Sequence, residues 1–119
     1  MKTKTILLAL VLSLFLTNCV QKTEQKTVIF TLDASEMKNV KKVAIRGKDK
    51  PFSWGEATEM KLNANNNSYQ ITTTFVTGYK FTEVKFVVND SLEFENEDNR
   101  RVIFSEKDTT HYKAKFNKR

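Results

Sequence analysis

Tyr69-Gln70-Ile71-Thr72-Thr73-Thr74-Phe75 (YQITTTF) is the stretch that decides the fold. In an extended chain Tyr69, Ile71, Thr73 and Phe75 fall on one side and Gln70, Thr72 and Thr74 on the other, the two-residue period of a half-buried strand. The same period recurs on both sides of it. Val84, Phe86 and Val88 oppose Glu83, Lys85 and Val87, and Tyr112, Ala114 and Phe116 oppose His111, Lys113 and Lys115. Val28, Phe30 and Leu32 make a first strand, Val43 and Ile45 a second, and Val102 and Phe104 another near the end. No segment sustains a 3.6-residue pattern; Ala34 to Lys42, with only Met37 and Val40 as large apolar residues, reads as a loop or single turn.

Turn-forming clusters separate these runs at Gly47 to Pro51, Asn63 to Ser68, Thr77-Gly78, Asn89 to Ser91 and Asn96 to Asn99. Short alternating strands at this spacing predict an all-β protein, an immunoglobulin-like antiparallel β-sandwich of about seven to eight strands. A small closed barrel is the alternative architecture. The chain contains no internal repeat, low-complexity tract or heptad pattern.

The amino end has a different character. Lys2 and Lys4 precede an apolar run from Ile6 to Leu16 broken only by Ser13, and Leu16-Thr17-Asn18-Cys19 follows. Such a run has the form of a signal peptide. As a helix it would span only about 16 Å, against a hydrocarbon core of ~30 Å. Cys19 is the single cysteine of the chain, so no internal disulfide is available to it. These residues resemble the lipobox of bacterial lipoproteins, although Asn18 stands where Gly, Ala or Ser usually precedes the cysteine. The resemblance implies removal of residues 1–18 and acylation of Cys19, which would hold the protein on a membrane. Val20 lacks the acidic signal that retains some lipoproteins at an inner membrane, so the expected location is the cell envelope at the outer membrane.

Removing residues 1–18 leaves 101 of the 119 residues, with eighteen basic and fourteen acidic side chains, a charge of +4. Residues 19–26, ending in the polar VQKTEQK, read as the acylated cysteine and a flexible tether, and residues 27–119 as one domain. A domain of that size buries one core and leaves no room for two lobes around a deep cleft. The mild, interspersed charge and the exported character argue against nucleic acid as a partner.

Four places in residues 27 to 116 carry a second resemblance: V-x-F-x-L at Val28, Phe30 and Leu32; V-A-I-R-G ending at Gly47 and followed by Trp54; V-K-F-V-V from Val84 to Val88; and F-E-x-x-x-N-R at Phe94, Glu95, Asn99 and Arg100. Their order and spacing resemble the starch-binding β-sandwich of carbohydrate-binding module family 20 and its glycogen-binding relatives. That resemblance implies a polysaccharide partner of α-glucan type. By position it implies Trp54 as a stacking platform, Lys85 and Asn99 as hydrogen-bonding groups, Phe94 in place of a second tryptophan, and Glu95 beside it. Phenylalanine offers less stacking area and no indole N–H, so weaker or altered binding is implied. Independently of the resemblance, a pyranose has an apolar face of C–H bonds and a rim of hydroxyls, so aromatic rings bordered by polar groups suit it. Exposed sites of this kind bind weakly and gain from multivalent ligands.

Each of these residues has a plainer reading as well. Trp54 sits in a turn-like stretch and equally fits a plug over one end of the sandwich. Phe94 follows Leu92 at strand spacing, so both could point inward. Lys85 is placed outward, as any surface lysine on a strand would be, and Asn99 and Arg100 fit turn and ion-pair roles. His111 reads as solvated. The acidic run Glu93, Glu95, Glu97 and Asp98 lacks the glycine and ligand spacing of a calcium loop, and neither a metal nor any other cofactor is expected. No nucleophile elbow, zinc-protease motif or phosphate-binding glycine loop occurs, and the chain has three glycines in all. The expectation is a non-enzymatic, lipid-anchored carbohydrate-binding protein that serves an envelope enzyme or transporter in trans. The alternative is a structural or protein-interaction lipoprotein that keeps the sandwich without sugar binding.

Overall fold

In the computed structural model the described residues are 22–119. The leader, Cys19 and Val20 lie outside them. Nine strands run in chain order: β1 (Glu24–Asp33), β2 (Val43–Gly47), β3 (Thr58–Glu59), β4 (Lys61–Asn63), β5 (Ser68–Thr77), β6 (Phe81–Val88), β7 (Ser91–Leu92), β8 (Arg100–Ile103) and β9 (Thr109–Lys115). They form two sheets, one ordered β4-β5-β1-β9 and the other β3-β2-β6 with β7 and β8 both on the far side of β6. The all-β sandwich expected from the alternation is the observed fold.

The alternation also places the core. Val28, Phe30 and Leu32 of β1, Val43 and Ile45 of β2, Phe75 of β5, Val84, Phe86 and Val88 of β6 and Val102 of β8 are all buried between the sheets. Phe30 stands at the centre, its ring 5.7 Å from that of Phe52, 6.4 Å from Phe75, 6.5 Å from Phe86 and 6.1 Å from Tyr112, mostly edge to face. Such tilted pairs add to what area burial alone contributes. Ala34 to Lys42 forms turns with no helix, as its sparse apolar residues suggest.

Three features differ from the sequence expectation. β1 begins at Glu24, inside the 19–26 stretch expected as tether, because Glu24, Gln25 and Lys26 pair with Thr77, Val76 and Phe75 of β5. Strand pairing needs only backbone groups, and those polar side chains give no periodic signal of it. β1 also pairs in parallel with β9, Thr27 opposite Thr109 through Asp33 opposite Lys115, so the sandwich is not wholly antiparallel. The strands number nine, β3 and β7 being two-residue edge pieces too short to show a period.

Asparagine makes the turns possible. Among the described residues seven that are not glycine have positive φ, and six of them are Asn or Asp: Asn39, Asn67, Asn89, Asp90, Asn96 and Asn117. These side chains tolerate the left-handed region better than other non-glycine residues do. The seventh, at φ 48°, is Phe94.

Candidate functional site

Trp54 and the segment 93–99 lie on different sides of β6, and each is built by a gap in strand pairing. On one side, β2 ends at Gly47 and the chain loops through residues 48–57 before β3. Phe52 anchors this loop in the core, its ring 5.7 Å from both Phe30 and Phe75. The Gly47 and Phe52 amides donate to the carbonyls of Ser53 (3.3 Å) and Asp49 (3.0 Å), and the Thr82 hydroxyl donates to Asp49 Oδ2 (2.7 Å). The Lys50–Pro51 peptide is cis. Arg46 Nη1 donates to the Trp54 carbonyl at 2.8 Å, and the Glu56 amide to Ser53 Oγ at 3.0 Å. Trp54 is 37% exposed, on a loop held from both ends. A ring so mounted is available to an external face without an ordering cost in its carrier, which is the condition for a useful stacking platform.

On the other side, β7 covers only Val87 and Val88 of β6, and β8 covers only Phe81 to Val84. Lys85 and Phe86 therefore have no strand partner there, and the segment between β7 and β8 supplies one. The Glu93 amide donates to the Phe86 carbonyl at 3.0 Å, and the Phe86 amide donates to Glu93 Oε2 at 2.7 Å. Arg100 completes the carboxylate with a fork, Nε to Oε2 at 2.7 Å and Nη2 to Oε1 at 2.8 Å, and the Asn117 amide reaches Oε1 at 3.2 Å. Glu93 is fully buried, with all its lone-pair directions used. Arg100 Nη2 also lies 2.8 Å from the Lys115 and Lys118 carbonyls, so the pair ties the β8 edge of one sheet to the β9 end of the other. Burial works against a charged guanidinium here. Its hydrogen bonds to Glu93 and the Tyr112 phenol, and then the Glu93 charge, overcome that and hold the Arg100 pKa above its ordinary value.

Phe94 is mounted on this tie. Its amide donates to Asn117 Oδ1 at 2.9 Å, and its ring has the Arg100 guanidinium 4.7 Å and the Arg119 guanidinium 4.2 Å from its centroid. The ring is only 6% exposed, and cation–π contacts occupy it. Lys85 leaves the outer face of its sheet as the alternation requires, but the 93–99 segment folds over it. Its amine donates to the Phe94 carbonyl at 2.8 Å and the Glu97 carbonyl at 2.9 Å. The expectation of a freely outward lysine is thus corrected: only 6% of Lys85 is exposed, because its ammonium holds the loop. Glu95 is exposed and Asn99 half-buried. The structure therefore sets Lys85 of β6 beneath the segment that carries Phe94, Glu95 and Asn99, bonded to it through the Phe94 and Glu97 carbonyls. Trp54 belongs to the loop on the other side of β6, its carbonyl bonded to Arg46, which is the cross-strand partner of Lys85.

The ion-pair reading of Arg100 holds, whereas its partner Glu93 appeared in the sequence only as one letter of an acidic run. Asn117 and Arg119, which complete the arrangement, carried no signal at all. Among the described residues no group of three His, Cys, Asp or Glu side chains is placed to hold a metal ion. No family model matches the chain, and no curated protein matches it either.

Proposed function

We propose that this protein is a lipid-anchored, non-catalytic envelope protein whose β-sandwich holds polysaccharide, of α-glucan type by the motif resemblance, on the Trp54 loop. The observation that carries the reading is the exposed indole of Trp54 on a loop fixed by Phe52, Arg46 and Asp49. One platform buries little area, so each site binds weakly, and crowding on a membrane through Cys19 turns weak sites into a surface that retains a repeating polymer.

A second reading is favoured by Phe94 and Lys85. The ring that replaces the second tryptophan of the resemblance is covered by Arg100 and Arg119, and the lysine amine is committed to two carbonyls. On that reading the segment 93–99 is structural and the protein is an interaction lipoprotein without a sugar site.

Native electrophoresis through amylose, glycogen and a non-glucan control separates the two. Retardation by α-glucans that disappears in Trp54→Ala, with thermal midpoint unchanged, supports polysaccharide holding. Migration unaffected by every polysaccharide leaves the interaction protein as the function.

A further inference from the structure

The end of the sandwich where the described chain begins carries apolar side chains that no other described residue covers. β1 starts at Glu24 opposite Thr77, the last residue of β5, so the chain enters beside the β5–β6 turn. The Phe104 amide donates to the Lys80 carbonyl at 2.9 Å, which brings the end of β8 to the same place. Tyr79 is 61% exposed and Ile103 69% exposed, and both line one shallow depression with Phe104, the basic Lys22, Lys26 and Lys80, and the acidic Glu24 and Glu106. Val76, also exposed, flanks the turn on the last stretch of β5.

Cys19 lies three residues before Lys22 in the sequence. Three Cα steps reach at most about 11 Å, so an acyl-bearing Cys19 holds this end within that distance of the lipid. We infer that the Tyr79–Ile103 end of the sandwich docks on the bilayer surface, the two side chains entering the headgroup boundary while the exposed Lys22 and Lys80 keep their amines in water and Lys26 stays paired with Glu24 and the Ser105 carbonyl. The inference rests on the lipoprotein reading of Cys19. A tyrosine suits the position because its ring is apolar and its hydroxyl remains hydrated. Lysine stems likewise lie along apolar surface while their charges stay outside. Docking fixes the orientation of the domain and points Met37, in the turns after β1, away from the membrane.

Tryptophan placed at either end tests this, because Trp54 is the sole natural one. The acylated full chain is purified as Trp54→Phe with Tyr79→Trp, and as Trp54→Phe with Met37→Trp. Each is returned to phosphatidylcholine vesicles brominated near the headgroup end of the acyl chains. Tryptophan at 79 should be quenched at least about twofold more than at 37, with a blue-shifted emission, as an interfacial side chain requires. Equal quenching at the two positions, or none, in protein whose Cys19 acylation is verified by mass overturns the docking inference alone. Recovery of the chain with Cys19 unmodified overturns the lipoprotein reading and the inference with it.

Discussion

Glu93 and Arg100 are seven positions apart, yet they form a buried, densely bonded ion pair: two fork bonds, two backbone amides on the carboxylate and two carbonyls on the guanidinium. A buried pair of this kind roughly breaks even against a hydrophobic replacement, but losing one member leaves the other charge uncompensated. Glu93→Gln should therefore cost about 3–5 kcal/mol, read as a lower urea midpoint at unchanged slope. Glu93→Leu combined with Arg100→Met should recover much of that loss. A cost under about 1 kcal/mol for the single change would show the pair to be solvated. At this scale the sequence was partly legible. F-E-x-x-x-N-R suggested a ligand segment and an ion-pairing arginine. That Glu93 rather than Glu95 turns inward depends on the unpaired Phe86 amide, which only the staggered ends of β7 and β8 create.

Between β2 and β3 the Trp54 loop packs so closely that a side chain at Gly47 would fit only if its neighbours gave by a few tenths of an ångström. A Cβ there would sit 3.1 Å from Phe52 Cδ2 and 3.2 Å from the Glu83 carbonyl oxygen. Neither neighbour gives way cheaply, since Phe52 is wedged between Phe30 and Phe75 and Glu83 belongs to β6. Gly47→Ala should destabilise by about 1–3 kcal/mol, the usual cost of forcing extra volume into a packed site. It should also weaken any glucan retardation, because the loop that carries Trp54 must shift. Stability equal to wild type in chemical denaturation would show the loop to be slack. The strands themselves were legible wherever one face is apolar and the other polar, as in β5 and β9. The two-residue strands β3 and β7 and the polar start of β1 were not, because pairing there is made by backbone groups that every sequence possesses.

Closure of the whole molecule falls to its last residues. β9 runs parallel to β1, and just beyond its end Phe116 is buried, Asn117 bonds to both Glu93 and Phe94, and the Lys115 and Lys118 carbonyls receive Arg100. Deletion of Lys115–Arg119 should therefore cost at least about 3 kcal/mol from Phe116 alone. In a domain of this size that corresponds to a fall in Tm of at least about 12 °C, measurable by circular dichroism. An unchanged midpoint would mean that the two sheets are held together without this tie. The same organisation separates the two ends of the sandwich. One bears the Tyr79–Ile103 surface beside the start of β1, and the other bears the Asn-rich turns.

The sequence by itself determined that the protein is all-β, which residues of each long strand face the core, and that the indole of Trp54 sits in a loop. Hydrophobic alternation and turn chemistry are local properties and can be read residue by residue. Tertiary structure alone decided that β1 and β9 run parallel, that Lys85 is enclosed, that Glu93 is the partner of Arg100, and that Phe94 is covered by two arginines. Each of these depends on which backbone groups are left unpaired once distant strands have come together, a quantity that no window of sequence contains.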